Sequence, residues 1–227
     1  MSISSSDAYV AEVYKLSDFY NPNRREPMKR VSSLLCALLL MGVAAFSQTL
    51  TQADRDKGSK YLEQTRDAIV AATTGLSEGQ MKFKPAPDRW SVAETLEHIA
   101  LAEDFLFQNI TEKIMKSPVG AADRDTAKAD AMVLAMIPDR SHKAQAPPPL
   151  VPTGRWSPAE TLAHFQKSRA QTIAFLQSTP DLREHVADSP LGQPLDAYEW
   201  LLFVAAHSDR HTKQILEVKA DPNFPKK

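Results

Sequence analysis

Two ten-residue stretches set the reading of this chain: Arg89–His98, RWSVAETLEH, and Arg155–His164, RWSPAETLAH. They match at eight of ten positions, 66 residues apart. Each holds a Ser followed three residues later by Glu. The Ser hydroxyl can accept the amide of the third helical residue, and the Glu can accept the amide of the cap, so each stretch starts a helix. Pro158 strengthens the second start, because a first-turn residue has no N–H partner to lose. The echo marks either a duplicated two-helix unit or two helix starts that share one favourable solution.

Asp196-Ala197-Tyr198-Glu199 repeats the layout, and Thr51-Gln52-Ala53-Asp54 is a weaker version. Helices are therefore expected over about 52–74, ended by Gly75; 92–115, ended before Pro118; 158–178, ended before Pro180; and 197–219, ended before Pro222. Each carries an apolar stripe at helical spacing. The stripes are Tyr61, Leu62, Ala68, Ile69 and Ala72; Val92, Leu96, Ile99, Leu106 and Ile110; Leu162, Phe165, Ile173 and Leu176; Trp200, Val204, Ile215 and Val218. No segment alternates as a strand. The expected fold is all-α, a four-helix bundle spanning 48–227. The connection from Lys116 to Trp156 is long and rich in Pro, with room for a short helix over 127–137. A connection of that length is functional cover or a crossover.

Val31–Phe46, VSSLLCALLLMGVAAF, follows Met28, Lys29 and Arg30, and small residues precede a cut after Ser47. A basic start, a short apolar run and a small-residue exit read as a secretory signal over 28–47, with Met28 the expected start. The chain is then expected to be exported, to the periplasm or beyond the cell, with no membrane segment in the mature form. An anchor formed by 31–46 is the alternative, although 16 apolar residues fall short of the roughly 20 a span needs. The lone Cys36 lies inside that segment, which excludes a disulfide framework and a Cys-based zinc module from the folded part. With 27 basic and 28 acidic residues, the net charge of −1 argues against a nucleic-acid binder held by bulk charge. Neither a P-loop nor a dinucleotide-binding glycine motif occurs.

Chemistry concentrates in the histidines. His207 and His211 are four apart and share the stripe of Trp200, Val204, Gln214 and Ile215. Two imidazoles on a core face are hard to satisfy without a shared ligand, which favours a metal over paired core histidines. His207 lacks a following Glu, so this is not the H-E-x-x-H protease helix. A third ligand has to come from elsewhere: His98, near the edge of its stripe, is modestly ahead of His164, nearer an exposed side. His142 and His185 stand in polar, loop-like surroundings and are expected to be solvated. Glu94 is expected to cap. Glu103 projects toward the core and needs a reason to be there. Asp209 is expected in solvent.

Trp90, Ser91, Glu94 and His98, followed late in the chain by His207, His211, Gln214 and Ile215, form a pattern that resembles the DinB-like superfamily of metal-dependent enzymes. The resemblance covers nearly all of 48–227. It implies a four-helix bundle holding one divalent transition metal (Zn, Ni, Fe or Mn) on His98, His207 and His211, and it removes His164 from the ligand set. Where the family often shows a further His or Arg, this chain has Thr212 and Lys213. Three neutral imidazoles leave coordination positions open, the layout of a working rather than a closed structural site. The resemblance implies a hydrolase or transferase acting on a small molecule. Some relatives use low-molecular-weight thiols, and export would work against that version. A non-catalytic metal-binding or partner-binding bundle is the alternative, and a homodimer stays open.

Overall fold

The computed structural model describes residues 49–226 apart from 144. The signal-peptide reading of 28–47 lies outside them, as does everything before it. No helix among the described residues is long and apolar enough to cross a membrane.

Four long helices dominate: α1 (Gln52–Thr73), α3 (Val92–Glu112), α5 (Pro158–Ser178) and α6 (Ala197–Lys219). All four begin at the expected boxes. Thr51, Ser91, Ser157 and Asp196 each accept the amide of Asp54, Glu94, Glu160 and Glu199, whose carboxylates bond back to the cap. Helix α3 stops three residues early, and Ile114–Lys116 continue as a 3₁₀ turn. Helix α4 (Thr126–Met136) fills the expected short segment of the long connection. Ala68 is exposed, so the α1 stripe is narrower than its spacing suggests.

Two features have no counterpart in the sequence reading. A single-turn α2 (Glu78–Lys82) follows α1, capped by Ser77 with Gln80. A two-residue antiparallel pair, β1 (Val186–Ala187) and β2 (Leu195–Asp196), precedes α6. Strands this short carry no alternation to read.

Helix α1 packs on α5 and α6, and α3 packs on the same two. The long helices therefore stand in the order α1–α5–α3–α6 around the bundle, with α1 across from α3 and α5 across from α6. Two apolar clusters fill the interior: Leu62, Leu106, Ile110, Leu176 and Val204 in one; Ile69, Leu96, Ile99, Phe165 and Ile215 in the other. Helices α1 and α6 run from the first cluster to the second. Helices α3 and α5 run the opposite way, and so are parallel neighbours. A parallel neighbour has to be reached by returning the length of a 21-residue helix, about 30 Å. That requirement explains the long connection: it is a crossover and a cover at once. On its way it lays α4 on α6 and the 3₁₀ turn Pro148–Leu150 on α3. Arg183 fastens it, bonding Asp130 of α4 on one side and Asp196 and Glu199 on the other.

Between the apolar clusters every long helix contributes a polar side chain, and here Glu103 finds its reason. Arg169 is fully buried and spends all five donors: two on Glu103 (2.8 and 2.6 Å), and one each on the Leu62 carbonyl, Thr65 and Ser208. Thr172 adds a bond to Glu103.

Candidate metal centre

Helix α3 reaches His98 two turns after its Ser91 cap, on the side that packs against α6. His207 and His211 face it from successive turns of α6. The Nε2 of His98 lies 3.3 Å from that of His207 and 3.2 Å from that of His211. His98 is 3% exposed and His211 9%, whereas His207 is only partly covered. Trp90 packs on the His98 ring at 4.8 Å.

Neighbours fix where the ring protons are. His98 Nδ1 is 2.8 Å from the Leu150 carbonyl, which can only accept, so Nδ1 carries the proton and Nε2 is a bare lone pair. His211 Nδ1 is 2.9 Å from Gln214 Oε1, which also accepts from Arg140. Arg140 can only donate, which identifies that amide atom as oxygen. His211 Nδ1 must therefore carry the proton too. Two bare lone pairs then face each other at 3.2 Å with no proton between them.

A shared cation removes this conflict. Zinc bonded to imidazole nitrogen at about 2.0–2.1 Å in tetrahedral geometry sets its nitrogens about 3.3 Å apart, close to the separations here. Leu150 and Gln214 supply the ring-orienting bonds that metal-bound histidines use. The residues thus fit one transition metal on His98, His207 and His211. Burial, with the other rings adding for the α6 pair, pushes the pKa of each of the three below the ordinary value; for His211 it falls to about 3. Neutral rings are the form that binds metal.

The same shifts set a pH dependence. A histidine whose folded pKa is depressed takes up its proton on unfolding once the pH drops below about 6.5. Metal-free protein is therefore expected to lose stability as the pH falls from 7 to 5, with each such ring adding up to about 1.4 kcal/mol per pH unit. Urea melts at stepped pH check this, and a flat profile over that range would contradict it.

His164 stands apart. Its Nε2 bonds Asp104 at 2.6 Å and its ring stacks on Trp156 at 4.6 Å. The sequence echo thus repeats the Trp–His packing of Trp90 and His98, but on the α3–α5 side and with a carboxylate where the first copy has histidines. Glu94 caps and also binds Lys84. Asp209 is not fully solvated: it is half-buried, paired with Lys213 and close to Tyr61. His142 is exposed as expected. His185 is not free in solvent, because its Nδ1 donates to the Ser117 carbonyl. With Asp181 and Glu184 it forms the other group of possible ligands among the described residues. Thr212 turns back to the Ser208 carbonyl.

Gln214 belonged to the sequence pattern, but its role on His211 did not. Arg140, held by both oxygens of Glu217, and the Leu150 carbonyl come from the long connection and left no signal. A backbone acceptor has no residue type, and Arg140 reads as one more loop cation.

Known proteins resemble this chain in sequence and in fold. The DinB superfamily profile matches residues 61–215. An uncharacterised Bacillus subtilis protein, YuaE, is 26% identical over 147 residues, 64% of this chain and 86% of its own. Among solved structures, YfiT from Bacillus subtilis superposes with a TM-score of 0.50 at 16% identity, over 77% of this chain and 91% of its own. YfiT is described as a probable metal-dependent hydrolase with an unusual four-helix bundle topology. With the profile spanning most of the folded part and the three-His cluster in place between α3 and α6, the chain belongs to the DinB superfamily.

Proposed function

We propose that this protein is a metal-dependent enzyme, a hydrolase or transferase that acts on a small molecule. The observation that carries the proposal is the convergence of three Nε2 atoms, two of them with bare lone pairs, beneath a partly exposed His207. The likeness of fold to YfiT supports the hydrolase reading.

His98, His207 and His211 would hold the ion. Bound there, a divalent metal lowers the pKa of a coordinated water toward about 7 and polarises a carbonyl or phosphoryl oxygen. The chain's own residues do the rest. Leu150 and Gln214 hold the imidazoles in one tautomer. Trp90 and Leu150 keep water from the His98 side of the cluster, and the partial exposure of His207 leaves one side for substrate. Both apolar clusters and the Arg169 layer are independent of the three rings, so the bundle is expected to stay folded when metal is removed. A chelator should abolish turnover while leaving the far-ultraviolet circular dichroism unchanged.

The test is turnover of small esters, amides and phosphoesters by zinc-, nickel-, iron- and manganese-loaded protein, compared with the metal-free chain and with His98→Ala. Metal-dependent turnover absent from the variant supports the proposal. Metal uptake and thermal stabilisation without turnover of any substrate class would favour the non-catalytic bundle.

A further inference from the structure

Glu97 is buried next to a metal ligand, yet it is not part of the cluster. It leaves α3 about 100° round from His98 and is only 3% exposed. A carboxylate that far from water needs several donors. Glu97 finds them in three consecutive backbone amides of the long connection, those of Thr153 (3.0 Å), Gly154 (2.8 Å) and Arg155 (3.4 Å). The Thr153 hydroxyl adds a fourth at 3.3 Å. Successive amides can converge on one anion where the backbone alternates its handedness, the arrangement called a nest. Gly154, with φ +73°, supplies the left-handed step.

What this cradle holds is the segment that orients His98. Thr153 is separated from Leu150 only by Val151 and Pro152, in a run that also contains Pro147, Pro148 and Pro149. Proline fixes φ at each of those positions, so the run is stiff. The 3₁₀ turn Pro148–Leu150 adds a bond from Leu150 N–H to the Pro147 carbonyl. The Leu150 side chain packs on Leu101 and Ala102 of α3, and its carbonyl accepts the His98 Nδ1 proton. Glu97 and His98 thus grip the same stiff segment from adjacent positions of one helix.

We propose that Glu97 is a positioning residue for the metal centre: by clamping Thr153–Arg155 it sets the Leu150 carbonyl that keeps His98 in its Nδ1–H tautomer, with Nε2 free to ligate. The role rests on the metal reading above, but the tautomer is a property of the metal-free chain and can be tested without it. Partners that orient a ligating histidine typically change metal affinity by about 10–100-fold, and Glu97 acts one step further out. Glu97→Gln keeps the shape and removes a charge and an acceptor. Gly154→Ala leaves Glu97 intact but strains the left-handed step, and so disturbs the cradle from the other side.

The experiment is ¹⁵N NMR of the histidine side chains in metal-free full-length protein, paired with zinc titration. In the wild type, His98 is expected as the pure Nδ1–H tautomer. Glu97→Gln should show averaging between the two tautomers and a zinc affinity lower by about tenfold or more. Gly154→Ala should move both readouts the same way by less. A Glu97→Gln protein whose His98 stays purely Nδ1–H overturns the proposal. So does one whose zinc affinity remains within about twofold of wild type. If the wild type takes up no zinc, the metal reading fails by itself and the tautomer comparison still decides the role of Glu97.

Discussion

Replacing His211 with alanine is expected to lower the zinc affinity by about 10²–10⁴-fold with the bundle still folded. Structural zinc sites bind with about 10–16 kcal/mol, so one of three protein ligands accounts for roughly 3–5 kcal/mol. His98→Ala and His207→Ala should behave alike. His98→Ala also leaves the Leu150 carbonyl without its donor. His164→Ala is the contrast, because that ring bonds Asp104 and stacks on Trp156 outside the cluster. It should bind zinc as the wild type does. Calorimetric titration separates these outcomes. Equal losses from all four substitutions would mean that general destabilisation, not ligation, is being measured.

The largest effect on stability is expected from Arg169→Met. Arg169 and Glu103 form a fully buried pair whose every donor is placed. Removing the guanidinium leaves a carboxylate deep in the bundle with only Thr172 as partner, a defect of about 3–5 kcal/mol. For a domain of this size that corresponds to a fall in Tm of about 6–20 °C. The second change Glu103→Leu removes the stranded charge, and the double variant is expected to recover most of the loss. A buried pair often contributes little net stability over apolar residues of similar volume. Thermal melts of both variants check this. If the double variant is no more stable than Arg169→Met, the stranded-charge explanation is wrong.

Why so much of the fold was legible follows from the way it is built. Helix starts are local events: Ser91 with Glu94, Ser157 with Glu160 and Asp196 with Glu199 close their own boxes within four residues, and each box stands where its sequence placed it. The order of the helices around the bundle is not local. It depends on which stripes pair, and Leu62, Leu106 and Leu176 look alike as letters. Glu103 stood out because a carboxylate interrupted an apolar stripe. Arg169 did not, since one arginine on an exposed-looking α5 is ordinary until four helices close around it.

The site divides in the same way. His207 and His211 were visible as a pair because one helix carries both. His98 was separated from His164 by the family resemblance rather than by spacing, and the structure shows why the two differ. Each ring packs on the Trp eight residues before it, but His98 faces α6 and His164 faces Asp104. The long connection was legible only as an anomaly of length. Its work is done by the Leu150 carbonyl, by three amides around Glu97 and by Arg140 on Gln214. Two of those three devices are backbone groups, which carry no residue signature.

The most direct test is zinc titration of the full-length protein followed by X-ray absorption at the zinc edge. One equivalent bound per chain, with three imidazole nitrogens at about 2.0–2.1 Å and a remaining light-atom ligand, is the predicted result. A folded chain that takes up no zinc, nickel, iron or manganese at micromolar concentration would contradict the account, because the facing lone pairs of His98 and His211 would then need another explanation.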